Sequence, residues 1–190
     1  RLDELRLPPM VSDNTAQLGT AFAVSVDALR GATTGISAQD RTVTIQAMMD
    51  PKTSPEDLAR PGHIFPLRYQ EGGVLKRAGQ TEAIVDLARL AGMNPAGIIC
   101  EIMARDGTMA RKSELEQFSR KHGISIVSIA DLITYRRVEE RLIERVSEAR
   151  VPTDYGEFLA VSYRSIVDAN EHLAMVKGQP RPEDAVVVRV

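Results

Sequence analysis

The sequence predicts an α/β domain with a mixed sheet, followed by a short β-rich tail. Two observations predict the domain. Residues 20–28 (TAFAVSVDA) alternate, with Phe22, Val24 and Val26 on one face, as a strand requires. Ile84, Leu87, Ala88 and Ala91 recur at helical spacing and are stopped by Gly92. A third observation predicts the tail: beyond Val151-Pro152 three strand-like runs follow one another without a helix between them.

Taken in order, residues 1–14 are Leu/Pro-rich and irregular, because Pro8-Pro9 block a helix. A strand follows over 20–28, then a turn over Gly31 to Gly35. Ser37 is a suitable N-cap for a helix running to about Met49, although the β-branched run 42–45 weakens it. Residues 50–62 read as a Pro-punctuated loop. Gly72-Gly73 marks a turn before a short strand at Val74-Leu75, and a helix starts near Glu82. Residues 96–103 read as an apolar strand. Ser113 and Glu116 suggest a capping box for a helix with Leu115 and Phe118 as its buried stripe, ended by Gly123. Residues 124–129 read as another strand, and 131–150 as one long charged helix striped by Leu132, Tyr135, Leu142 and Val146. The tail strands are expected over 157–163, 172–176 and 185–190, without a closed core. The domain boundary is placed near residue 147, giving 1–146 and 147–190.

Bulk properties narrow the function. With 190 residues and 43% hydrophobic content the chain is an ordinary globular sequence, and a net charge of −2 points to neither nucleic acid nor membrane as a partner. Cys100 is the single cysteine, so an intramolecular disulfide and a paired-cysteine zinc motif are both excluded; it reads as a small buried hydrophobe. No apolar run is long enough to span a bilayer, and the expected location is cytoplasmic. Starting at Arg1 and ending at VVVRV, the chain reads as a piece of a longer protein.

Three places carry chemistry. In KRAGQTE (76–82), Arg77 offers a planar fork, Gly79 lets backbone approach closely, and Thr81 adds a hydroxyl at a helix start, whose free N–H groups favour an anion. The alternative is an ordinary capped helix behind an exposed arginine. Glu101 shares a strand face with Ile99 and Met103, where a carboxylate is costly unless it meets a partner or a cavity. It is expected to face a cavity shared with His63 and the Arg77 to Thr81 turn; the alternative is a strand end facing solvent. His63, in RPGHIFP, is stiffened by Pro61 and Pro66 and is the best acid/base candidate of three histidines, against the alternative of a turn histidine bonded to backbone. His122, in the last turn of its helix, and His172, in a strand, read as structural.

The blocks TAFAVSVDA (20–28), TTGISAQDR (33–41), RPGHIFPLR (60–68), GGVLKRAGQTEA (72–83), LAGMNPAGIICE (90–101) and DGTMARKSEL (106–115) together resemble 3,4-dihydroxy-2-butanone 4-phosphate synthase of riboflavin biosynthesis. Residues 151–178 resemble the beginning of GTP cyclohydrolase II. The resemblance implies a three-layer α/β fold, a homodimer, and Mg²⁺ (or Mn²⁺)-dependent conversion of the sugar phosphate D-ribulose 5-phosphate to 3,4-dihydroxy-2-butanone 4-phosphate and formate. It makes His63 and Glu101 the catalytic residues and puts the substrate on Arg77, Ala78, Gly79, Gln80, Thr81 and Glu101. Zn²⁺ belongs only to the cyclohydrolase part, whose cysteines lie outside this chain.

Three departures stand against it. The family's DRENEGD-type acidic segment is absent from this chain. The metal-binding histidine of its GHTEA motif is Gln80, and Ala23 replaces a common threonine. A second function is therefore weighed beside the first: a catalytically impaired synthase-like paralogue that serves as a dimerisation platform for a GTP cyclohydrolase II. A third is a protein that works mainly as that cyclohydrolase.

Overall fold

The structure, a computed structural model, describes residues 1–168, 170–181 and 183–189. The chain divides into two compact units, Arg1–Tyr69 and Gln70–Val190.

In the first unit, β1 (Val26–Ala28) pairs antiparallel with β2 (Leu58–Ile64), and α1 (Ala38–Met49) packs on both. The strand expected over 20–28 is shorter than its alternation: upstream of Val26 the chain makes only isolated bridges, Pro9 to Ala23 and Phe22 to Leu67. The loop expected over 50–62 instead holds a 3₁₀ turn (Pro55–Asp57) and most of β2. Pro61 and Gly62 read as breakers, yet they lie opposite a break in the ladder. Val26 pairs with Ile64 and Asp27 with Ala59, so residues 60–63 bulge between them. A bulge tolerates a proline without an N–H and exploits a glycine without a Cβ.

The irregular N-terminal stretch is a core contributor. Leu5 and Leu7 are buried with Ala23, Val26, Met48 and Leu58, and Leu2, Ala47 and Ile64 pack around them. α1 begins as expected, with Ser37 Oγ accepting the Asp40 N–H at 3.0 Å. Its β-branched run does not break it. Thr44 is fully buried and its Oγ1 accepts the Ala28 N–H at 2.9 Å, which ties helix to strand.

Gly62 carries a first prediction. A Cβ there would sit inside the backbone of Val26 and Asp27, which has no flexible end to yield. Gly62→Ala should destabilise β1–β2 by about 1–3 kcal/mol. Amide exchange at Ala28 and Leu58 in the full-length protein reads this directly, and unchanged protection would refute it.

In the second unit, a 3₁₀ turn (Gly73–Leu75) replaces the expected strand at Val74-Leu75, and leads into α2 (Gln80–Leu90). The turn wins because two acids on the inner face of α2 grip its backbone. Glu82 accepts from the Gln70 N–H at 2.9 Å, and Asp86 from the Val74 N–H at 2.8 Å. The helix therefore buries Thr81, Glu82, Val85, Asp86 and Ala88, and Leu87 of the expected apolar face is exposed. Periodicity counted only apolar residues, whereas the buried stripe includes two carboxylates matched to partners.

α3 (Lys112–His122) is capped by Arg111, two residues before the expected box. Glu114, not Glu116, reaches back to accept the N–H of Arg111 at 2.9 Å, and Gly123 closes the helix at φ 64°. α4 (Ile129–Glu139) is capped by Ser128, whose Oγ accepts the Asp131 N–H at 3.0 Å. The long helix over 131–150 is not formed. The chain turns into β3 (Ile143–Thr153), which pairs with β4 (Gly156–Ser165), and β4 pairs with β5 (Glu171–Val176), both antiparallel. Cross-strand pairing along β3, broken only by a bulge at Val146, outweighs the helical stripe, which Pro152 could not have continued. Position 147, the expected boundary, lies inside β3. Of the run 185–190, residues 185–189 form no strand and Val190 lies outside the described residues.

The strands expected over 96–103 and 124–129 are also not formed. The first makes one bridge, Met103 to Met109, and Ile129 belongs to α4. Alternation identifies extended backbone, but a strand also needs a partner, and these segments find no ladder among the described residues. Ile98, Met103, Ile124, Ile126 and Val127 are accordingly exposed.

Candidate functional site

In the first unit the site is built around His63. Its position in the bulge of β2 takes it out of the ladder and leaves its side chain 41% exposed. Asp27 holds it at two points. Oδ1 accepts the His63 backbone N–H at 2.9 Å, and Oδ2 lies 2.7 Å from ring Nδ1. Arg41 Nη1 donates to the His63 carbonyl at 2.9 Å.

Gly35 closes the seat from the other side. It is buried at φ 85°, and a Cβ there would collide with Asp27 Oδ2 and His63 Nδ1. Its loop is pinned by buried Asp40, whose carboxylate accepts the Thr33 N–H at 2.9 Å, the Thr33 hydroxyl at 2.8 Å and the Gly35 N–H at 3.1 Å. The Thr33 N–H, then its hydroxyl, hold the Asp40 carboxyl below the usual carboxylate range. That grip is complete above the range and is lost as pH falls through the depressed value. Sequence reading missed Asp27, Gly35, Arg41 and Asp40. The one available signal was an aspartate inside the apolar alternation of TAFAVSVDA.

In the second unit, Arg77, Ala78, Gly79, Gln80 and Thr81 form the entry to α2, with Gly79 as N-cap. Arg77 is not an isolated fork: its Nη1 donates at 2.6 Å to Glu82, which is 1% exposed. Gly79 lets the Arg77 guanidinium and Glu82 close over it, since a Cβ there would meet both side-chain ends. The arginine is thus oriented by a buried acid of the helix it precedes, a role that spacing could not show.

Glu101 is exposed rather than set on a buried strand face. It nevertheless meets the turn, for Gln80 Nε2 donates to Glu101 Oε1 at 3.1 Å. Two candidates from separate motifs, 21 residues apart, are in contact. Cys100 beside it is exposed, not the buried hydrophobe expected. His122 ends α3 with its ring 4.4 Å from Phe118, and His172 lies in β5 opposite Tyr163. Among the described residues no three His, Cys, Asp or Glu side chains cluster to hold a metal, and no helix is long and apolar enough to cross a membrane.

Residues 1–135 match the family model for 3,4-dihydroxy-2-butanone 4-phosphate synthase, and residues 144–190 that for GTP cyclohydrolase II. The chain belongs to the 3,4-dihydroxy-2-butanone 4-phosphate synthase family. It is 55% identical over 194 residues to the riboflavin biosynthesis protein RibBA of Synechocystis sp., covering 100% of this chain and 35% of that protein. It is 54% identical over 191 residues to the bifunctional riboflavin biosynthesis protein RIBA 1, chloroplastic, of Arabidopsis thaliana, with the same coverage of 100% and 35%. The chain thus spans about a third of the length of these curated relatives, 35% in each case. Among solved structures it is similar to RibBX of A. baumannii, a two-domain synthase, at 50% identity and TM-score 0.82, covering 93% of this chain and 52% of that one. A synthase solved in complex with two magnesium ions is 39% identical, with TM-score 0.64, covering 73% of this chain and 69% of that one. The α/β synthase-like fold implied by the sequence is this chain's fold, with the start of a GTP cyclohydrolase II domain after it.

Proposed function

We propose that this chain is the synthase part of a riboflavin biosynthesis protein, converting D-ribulose 5-phosphate to 3,4-dihydroxy-2-butanone 4-phosphate and formate. The observation that carries the reading is the Gln80–Glu101 contact at the entry to α2, because it joins two family motifs where helix N–H groups await an anion. In this reading the Arg77 to Thr81 turn receives the phosphate. Arg77, steered by Glu82, supplies charge, and the first turn of α2 supplies N–H donors. His63 and Glu101 are the proton shuttles, the task an enolising ketose demands.

Magnesium fits the donors present. The Glu101 carboxylate offers oxygen, and the Gln80 amide, which donates to it through Nε2, would offer its carbonyl oxygen on turning over; Mg²⁺ takes few protein oxygens while keeping several waters. When bound it supplies positive charge to the sugar oxygens as enolate character develops. Its binding by this chain, a homodimeric assembly, a cytoplasmic location and a domain junction between 146 and 147 are parts of the same proposal. The bifunctional description of the Arabidopsis relative and the synthase description of the A. baumannii structure favour the enzymatic reading over the platform.

The test is formate release from ribulose 5-phosphate by the full-length protein with Mg²⁺, beside Gln80→His. A histidine would restore a nitrogen ligand and a group titrating near neutrality. Gln80→His should tighten Mg²⁺ binding and raise formate release about tenfold, the low end for a recovered ligand or shuttle. No formate from either protein would sink the synthase reading. Full wild-type turnover with no gain from histidine would show that glutamine is a sufficient ligand.

A further inference from the structure

We infer that Asp27 is a positioning residue for His63, selecting the tautomer in which Nδ1 carries the proton and Nε2 presents its lone pair to substrate. The inference rests on the proposed role of His63 and deepens it. A carboxylate only accepts hydrogen bonds, so a ring nitrogen 2.7 Å from Asp27 Oδ2 must be the protonated one. The second oxygen of the same carboxylate holds the His63 backbone N–H at 2.9 Å, so ring and main chain are fixed by one group.

The surroundings are built for this pairing. The Asp27 side chain is 15% exposed while that of His63 is 41% exposed, which shelters the carboxylate and leaves the ring open. Gly35 fits against both partners without room for a Cβ. Arg41 secures the His63 carbonyl, and the register break of β1 and β2 falls at Asp27 itself. An incidental surface ion pair would need none of these. A carboxylate behind a histidine sets which nitrogen is basic and where the ring points, and removing such a partner typically costs about 10–100-fold in activity.

The decisive measurement is made first on the wild-type, full-length protein. The ¹⁵N signals of the neutral His63 ring, assigned by their loss in His63→Ala, should show a protonated Nδ1 and an unprotonated Nε2. The opposite tautomer, or an even mixture, overturns the inference whatever any variant does. Asp27→Asn, whose amide can donate to Nδ1, should then shift the population toward the Nε2-protonated form. It should lower kcat for formate release about 10–100-fold with KM within about twofold. Wild-type kcat in a folded Asp27→Asn protein refutes the positioning role. If instead His63→Ala retains full turnover, the catalytic reading of His63 fails, and the ring measurement still decides the Asp27 pairing. Should Asp27→Asn fail to fold, the wild-type ring signals decide alone.

Discussion

Replacing His63 by alanine should lower formate release by the full-length protein about 10²–10⁴-fold, the range for losing a general acid/base. The fold should survive it. The ring is half-exposed outside the β1–β2 ladder, and Asp27 keeps its bond to the residue 63 backbone N–H. The measurement is steady-state formate release together with amide exchange across β1 and β2. Loss of activity that tracks loss of β1–β2 protection would mean a structural histidine. Loss of activity with protection intact is the expected result.

Removing the Arg136 guanidinium should have the largest effect on stability. Arg136 Nη1 donates to Asp86 Oδ2 at 2.9 Å and to the Gly72 carbonyl at 2.9 Å, while Nε and Nη2 clasp Glu140 at 2.6 and 2.7 Å. Asp86 is 1% exposed, and its Oδ1 makes no hydrogen bond among the described residues. In Arg136→Met, Asp86 would remain buried and keep the Val74 N–H but lose its hydrogen-bonded guanidinium. Breaking one partner of a buried pair costs about 3–5 kcal/mol. Protection of α2 and α4 amides should therefore drop by about that free energy, with the Arg77 to Thr81 turn loosening beside it.

The same variant changes the acid side of the stability curve. Hydrogen bonds to Arg136 hold the Glu140 carboxyl below the usual carboxylate range. The stability this contributes is present above that range and fades as pH falls through the depressed value. Arg136→Met should flatten that fall. Retention of the wild-type acid dependence, or a change of under about 1 kcal/mol in α2 protection, would contradict the network's assigned role.

Much of the candidate site was legible because its residues are polar where their surroundings argue otherwise. A histidine between prolines, a Gly-Gln-Thr helix entry after an arginine, and a carboxylate in an apolar run each stand out without coordinates. Local chemistry also determined the Ser37 cap of α1 and the Gly123 stop of α3, since both depend on a few neighbouring residues. The family resemblance followed from the same motifs.

What the tertiary structure decided lies in pairings between distant positions. Asp27 and His63 are 36 residues apart, and Asp86 and Arg136 are 50 apart; nothing in either local sequence names the other. Glu82 and Asp86 turned what read as an apolar stripe into a buried acidic grip on the 70–76 loop, because a buried charge is affordable once its partner arrives. The opposite holds for 96–103 and 124–128, where alternation with no neighbouring strand among the described residues leaves extended chain. Sequence by itself determined residue chemistry and local caps, which are short-range. Structure decided burial, strand identity and ring orientation, because each depends on which remote group comes to lie within a hydrogen bond.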